Sequence, residues 1–301
     1  RLHSDDSDGS KSEEPSEQQL QSLINLHIQS QYQAALNKGS HLLEQFPNSI
    51  NLYNIIGAAY QGLGKLEEAI DAYGRAISIE PDYAEAHKNR GNALQEQRKL
   101  EEAIDAYNKA ISIEPDYAEA YNNMGVSLKD SGNLDEAINA YNKAISIESN
   151  FAEAHYNMGN ALHEQRKLDE ALGYYSKTIS INPDYAEAYN NMGNVLKDQG
   201  KLDEAIETYN KALTIAPDFA EVYNSMGIAL KYQGKLDEAI NAYNKAISIK
   251  PDFADAHKNM GFAKLQTAEW KHGIKLRAWR WKTSRARSYE RFFKAPEWDG
   301  E

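Results

Sequence analysis

The sequence predicts an all-α solenoid of antiparallel helix pairs, and three observations predict it. Gly91, Gly125, Gly159 and Gly193 stand 34 residues apart, and Gly57, Gly227 and Gly261 extend the comb in both directions. A second comb runs in phase through Pro47, Pro81, Pro115, Pro183, Pro217 and Pro251, with Ser149 where the missing proline would fall. Between the combs, apolar residues recur at helical spacing, as in Leu100, Ala103, Ile104, Tyr107, Ala110 and Ile111. A fixed period of this length marks supersecondary units that bury their apolar faces against one another.

Each unit reads as two helices. The first is predicted from about Ala84 to Gln97, with His87, Gly91 and Leu94 facing inward. Asp82 and Glu85 have capping-box spacing, repeated at Asp116–Glu119, Asp184–Glu187 and Asp218–Glu221. The second helix is predicted from about Leu100 to Ile113, and Pro115 forbids its continuation. The turn between them carries Gly64, Gly132, Gly200 or Gly234, suited to a left-handed backbone. Arg98 and Arg166 hold that place in two units, where positive φ would cost about 1 kcal/mol each. Gly91 and Ala103 are placed to let two helix axes approach, with Tyr107 and Leu94 filling the space beside them. Stability then spreads along the stack, because a single pair cannot bury its own stripe.

These residues resemble the tetratricopeptide repeat: an aromatic, Leu-Gly, a large residue, Ala, an aromatic, Ala and Pro. In residues 84–117 the places hold His87, Arg90-Gly91, Leu94, Ala103, Tyr107, Ala110 and Pro115, with Arg90 departing from the usual Leu or Met. The resemblance implies a right-handed superhelix whose first helices line a concave face that binds polypeptide. Six regular units are expected over 50–253, beginning at Ile50, Ala84, Ala118, Ala152, Ala186 and Ala220. A degenerate unit is expected at 16–49 and a degenerate capping unit at 254–282, since terminal repeats are atypical.

Composition narrows the function. The chain has 301 residues, 18 Gly, 8 Pro and no Cys, which removes disulfides and thiol chemistry and fits a cytoplasmic location. No stretch approaches the ~20 apolar residues of a membrane helix. Residues 1–19 hold 2 basic and 6 acidic side chains, residues 20–263 hold 21 and 34, and residues 264–301 hold 10 and 5. An acidic body disfavours nucleic acid, whose binding rests on Lys and Arg neutralising phosphates. Neither a nucleic-acid nor a membrane partner is expected. No phosphate-binding glycine loop, nucleophile elbow or metal-spaced His cluster is present in the sequence. The chain is therefore expected to be non-catalytic and to use no cofactor.

The candidate binding residues are asparagines of the first helices. Asn89, Asn123, Asn157, Asn191 and Asn259 occupy one position, and Asn92, Asn160 and Asn194 lie one turn later. An amide offers an acceptor and two donors, matching the C=O and N–H of an extended peptide. Five such contacts at ~1 kcal/mol give about 5 kcal/mol, or roughly 0.2 mM. The row resembles the asparagine ladder of O-linked N-acetylglucosamine transferase repeats, which implies peptide binding. The alternative is that the amides bridge neighbouring helices. Lys88 and Asn92 supply a fragment of the family's carboxylate clamp, but Glu85, Glu119, Glu153, Glu187, Glu221 and Asp255 would repel an acidic terminus. His87, His155 and His257 alternate with Tyr121, Tyr189 and Tyr223 and read as packing residues.

The ends differ from the body. Residues 1–15 are acidic and Ser-rich, the composition of a disordered tail, and 283–301 are expected to be a linker or the start of a further domain. Trp270, Ile274, Ala278 and Trp281 form one helical stripe amid basic residues, suited to a cap or a docking surface. Trp270–Gly273, Trp279–Trp281 and Pro296-Glu-Trp298-Asp299-Gly300 resemble the junction of bacterial proteins in which such repeats lead into a glycosyltransferase domain. Three readings follow: a protein- or peptide-binding scaffold, the substrate-recruiting arm of a larger protein glycosyltransferase, and a self-assembling scaffold.

Overall fold

The computed structural model describes residues 14–267, which contain fifteen helices and no strand. The expected Trp-rich cap and glycosyltransferase-like junction, and all but the last two residues of the expected acidic tail, lie outside them. The chain forms two compact units that divide within one helix, between Asn157 and Met158.

In the first unit, α1 (Glu17–Ile28) and α2 (Tyr32–Gln45) precede the regular pairs. These are α3 (Ile50–Gly62) with α4 (Leu66–Ile79), α5 (Ala84–Glu96) with α6 (Leu100–Ile113), and α7 (Ala118–Asp130) with α8 (Leu134–Ile147). The dividing helix is α9 (Ala152–Glu164). The second unit continues with α10 (Leu168–Ile181), then α11 (Ala186–Asp198) with α12 (Leu202–Ile215) and α13 (Ala220–Tyr232) with α14 (Leu236–Ile249). It ends, among the described residues, with α15 (Ala254–Gln266). In the first unit α4 packs against α3 and α5, and α6 against α5 and α7; in the second α12 packs against α11 and α13, and α14 against α13 and α15.

The glycine comb and the tyrosines of the second helices form one contact repeated in each pair. A Cβ on Gly91 would sit 2.6 Å from Tyr107 Cε1, on Gly125 2.5 Å from Tyr141 Cε1, and on Gly193 2.5 Å from Tyr209 Cε1. The rings of Tyr107, Tyr141 and Tyr209 are fully buried. Glycine is required here because the tyrosine ring atoms Cδ1, Cε1 and Cζ occupy the space a Cβ would need, a more specific reason than close approach of axes.

The turns follow the sequence reading. Gly64, Gly132, Gly200 and Gly234 have positive φ, and so do Arg98 and Arg166, both at 63°. Both arginines bridge to the next repeat: Arg98 Nη1 lies 2.7 Å from Asp130 and Arg166 Nη1 3.1 Å from Asp198. Their strain is thus offset in part by an ion pair that glycine could not make.

The expected capping boxes do not form. The residues flanking α5, α7, α11 and α13 are Tyr83, Tyr117, Tyr185 and Phe219, and none caps through its side chain. Asp82 lies one position too early, inside a tight turn closed by Tyr83 N–H donating to Glu80 O at 3.2 Å. Pro81 and Asp82 suit the two central places of such a turn. A complete capping box occurs instead at Ser16 and Gln19 of α1. Glu14, placed by composition in the solvated tail, accepts from the Ser49 hydroxyl at 2.5 Å and from Ile50 N–H at 3.0 Å. Its carboxylate therefore meets the start of α3, where a negative charge is favoured.

Candidate peptide-binding face

Within each unit, asparagines of successive first helices are tied to one another. In the first unit Asn89 Nδ2 donates to Asn54 Oδ1 at 2.9 Å, Asn123 Nδ2 to Asn92 Oδ1 at 2.9 Å, and Asn157 Nδ2 to Asn122 Oδ1 at 3.0 Å. In the second, Asn191 Nδ2 donates to Asn160 Oδ1 at 2.9 Å and Asn259 Nδ2 to Asn224 Oδ1 at 2.9 Å. Every donor belongs to the next repeat.

The acceptor alternates by one helical turn for a simple reason. Asn54, Asn122 and Asn224, at the fifth place of their first helices, are the acceptors in their repeats, whereas Asn190 at the same place, with Ser225 instead of Asn in the next repeat, donates to Asn191 Oδ1. Where the fifth place is Lys88 or Tyr156, the acceptor is Asn92 or Asn160 one turn later. The later asparagines have a further duty. Tyr107 Oη donates to Asn92 Oδ1 at 2.8 Å, Tyr175 Oη to Asn160 Oδ1 at 2.8 Å, and Tyr209 Oη to Asn194 Oδ1 at 2.9 Å. Burial pushes the phenols of Tyr107 and Tyr209 well above their ordinary range, so these hydroxyls remain donors. A chain of hydrogen bonds thus runs from buried Tyr107 through Asn92 to Asn123. Sequence reasoning missed this chain, although Asn nine residues into the first helix occurs in the same repeats as a tyrosine facing it.

Asn157 is buried, while Asn89, Asn92, Asn123, Asn160, Asn191, Asn194 and Asn259 are half-buried. A bridging bond of this kind uses one N–H of the donor amide and one lone pair of the acceptor; each amide has two of both. The row is therefore held in place by the scaffold; Asn92 Oδ1, which also accepts from Tyr107, and Asn160 Oδ1, which also accepts from Tyr175, are filled, so these two amides have only N–H groups to offer a partner.

The surrounding side chains are also accounted for. Lys88, the fragment of a carboxylate clamp, contacts Glu119 at 2.9 Å, with the Tyr117 ring 5.4 Å away. Burial opposes its charge, but the bonds to Glu119 and Tyr117 outweigh it and raise its pKa. His87 and His155 are buried, and with His257 each has Nε2 2.8–3.0 Å from a carbonyl six residues earlier, at Pro81, Ser149 or Pro251. They brace the turn that starts each first helix. Asp198 sits at a junction of Lys197, His163 and Arg166. Burial pushes its pKa up, but the hydrogen bond from His163 and the Lys197 and Arg166 charges prevail and hold it below the ordinary range. Among the described residues no cluster of His, Asp and Glu has an arrangement to hold a metal, and no helix is long and apolar enough to cross a membrane.

Comparison with known proteins places this architecture. Tetratricopeptide-repeat family models match residues 62–98, 84–117, 106–139, 127–166, 150–218 and 184–252. Together they run without a break from 62 to 252, more than half of the chain. No curated protein matches the chain. Among solved structures, Cut9 with Hcn1 from the APC/C hetero-tetramer aligns with a TM-score of 0.69 over 83% of this chain at 16% identity, a likeness of fold. The chain spans 49% of that one. YrrB, described as a TPR protein with an unusual peptide-binding site, aligns at 26% identity and a TM-score of 0.51, over 62% of this chain and 96% of its own. A tetratricopeptide repeat protein from Parabacteroides merdae aligns at 19% identity and a TM-score of 0.64, over 82% and 98%. The repeating Gly–Tyr contact, the helix pairs and these matches agree: the chain belongs to the tetratricopeptide-repeat family, with an all-α fold.

Proposed function

We propose that the chain is a non-catalytic binding module that holds an extended polypeptide along the asparagine-bearing face of its first helices. The carrying observation is the amide row, fixed by bonds between repeats such as Asn123 to Asn92 and Asn191 to Asn160. Amides already oriented by the scaffold lose little freedom on binding, so N–H groups such as those of Asn92 and Asn160 serve the carbonyls of a peptide backbone at low entropic cost. The peptide site described for YrrB supports the reading by analogy. The bridging bonds change what a variant should do: Asn123→Ala costs stability as well as affinity, about 1 kcal/mol from the lost bond. The test is calorimetric titration of extended peptides against wild type and Asn123→Ala, Asn191→Ala and the double variant, at a temperature where all are folded. Progressive weakening supports the proposal; unchanged affinity in the folded double variant refutes it.

A second reading, the recruiting arm of a protein glycosyltransferase, is favoured by Trp279-Arg280-Trp281 and Pro296-Glu-Trp298-Asp299-Gly300. It uses the same face, and its test is sugar transfer by the native protein from its source. A native product of the same mass as this chain, lacking transfer activity, would refute it.

A further inference from the structure

The second unit departs from its own pattern at one corner. Elsewhere a lysine at the twelfth place of the first helix is followed by an aspartate that it meets: Lys129 lies 3.2 Å from Asp130 and Lys197 3.7 Å from Asp198. In α13 the lysine is kept as Lys231, but the aspartate is replaced by Tyr232. Among the described residues Lys231 forms no ion pair, and its ammonium lies 5.2 Å from the Tyr232 ring centroid.

Three other departures occur on α13 and α15. Ile228 and Phe262 take the place held by Asn194 in α11, and Ser225 takes that of Asn191. Ile228 packs onto the cluster of Leu230, Tyr243 and Met260, while Tyr232 is 65% exposed and Phe262 37% exposed. Lys258, whose charge acts on Lys231, is itself matched, meeting Asp255 at 2.5 Å. Lys231 is half-buried, and burial together with repulsion from Lys258 lowers its pKa. A cation that is desolvated, repelled by a neighbour and lacking its usual carboxylate gains most from an anion supplied from outside. The exposed Tyr232 ring beside it, and the half-exposed Phe262 on the adjoining α15, offer apolar contact to whatever carries that anion.

We propose that Lys231, Tyr232 and Phe262 form a specificity site for an acidic side chain adjoining an apolar one in a bound peptide. The incoming carboxylate pairs with Lys231 as Asp198 pairs with Lys197. This rests on the proposed peptide-binding role of the face and adds the chemistry of the occupant.

The test uses two fluorescent peptides with a Gly/Ser frame, one with an Asp-Leu-Phe core and the other with Asn-Leu-Phe. Anisotropy titrations compare the wild type with Lys231→Gln, Tyr232→Ala and Lys211→Gln, the last a charge control on α12. Circular dichroism confirms that each is folded. Wild type should prefer the Asp peptide by about tenfold, the effect of one charge-assisted bond. Lys231→Gln should abolish that preference, Tyr232→Ala should weaken both peptides, and Lys211→Gln should change neither. Equal affinity of wild type for both peptides overturns the inference and leaves the amide-row reading standing. A preference that survives Lys231→Gln also overturns it. If the preference depends on Lys231 but binding is indifferent to Asn191→Ala and Asn259→Ala, the site stands and the amide-row reading falls. Failure of both peptides to bind overturns both.

Discussion

Replacing Gly193 by Ala isolates the contact on which the repeat is built. The new Cβ would stand 2.5 Å from Cε1, 2.8 Å from Cδ1 and 3.0 Å from Cζ of Tyr209. Ordinary contact begins at 3.4 Å, so the ring must retreat by roughly 1 Å. It has little room to do so: Tyr209 is fully buried in a cluster with Leu196, Ala205, Ala212, Val222 and Ala229. Overpacking of this kind costs about 1–3 kcal/mol. Against it, Gly→Ala in a helix gains up to about 1 kcal/mol in propensity. The gain cancels when the variant is compared with Gly173→Ala in α10, where a Cβ meets nothing within 4 Å. Gly193→Ala should therefore be less stable than Gly173→Ala by about 1–3 kcal/mol, and Gly173→Ala should match or exceed wild type. Urea unfolding measures the difference. Amide exchange in α11 and α12 locates it, since repeat arrays can open locally. Equal stability of the two variants would refute the claim that ring contact fixes glycine in the comb.

Other predictions follow from the same contacts. Tyr209→Phe should lose about 1 kcal/mol with its bond to Asn194, whereas Tyr243→Phe should be neutral or stabilising, because the buried Tyr243 Oη has no partner beside Ile228; equal losses in thermal melts would contradict this. Arg166→Gly relieves about 1 kcal/mol of left-handed strain but removes an exposed ion pair of 0–1 kcal/mol, so its urea midpoint should barely move; a loss above about 2 kcal/mol would show that the bridge matters more than the strain. The folded-state pKa of Asp198 is depressed, so its contribution is present above the unfolded value, about 4, and is lost as pH falls through the lower folded value. Asp198→Asn should be less stable than wild type at neutral pH, with the gap closing in acid; a gap independent of pH would refute the assignment.

Helix limits were legible because apolar spacing and turn residues agree: Leu100–Ile113 is where the pattern placed it, and Ala84 begins its helix as expected. The caps were misread because Asp82 and Glu85 have the right separation but the wrong phase relative to the helix start. That phase is set by the turn around Pro81, which separation alone does not report. The amide row was legible as a face, since equivalent positions in repeats must align. Its bonding was not, because Asn123 finds its acceptor 31 residues back and Asn157 35 back, depending on whether Lys88 or Asn122 fills the intervening place. Such pairings depend on how consecutive helices pack, which the period does not specify.

The most direct measurement is nuclear magnetic resonance of the asparagine side-chain amides during titration with an extended peptide. Shifts concentrated on Asn89, Asn123, Asn191 and Asn259, with the exposed asparagines Asn210 and Asn244 of the second helices unchanged, are the predicted result. Perturbation confined to Asn210 and Asn244 would contradict the assignment of the binding face to the first helices.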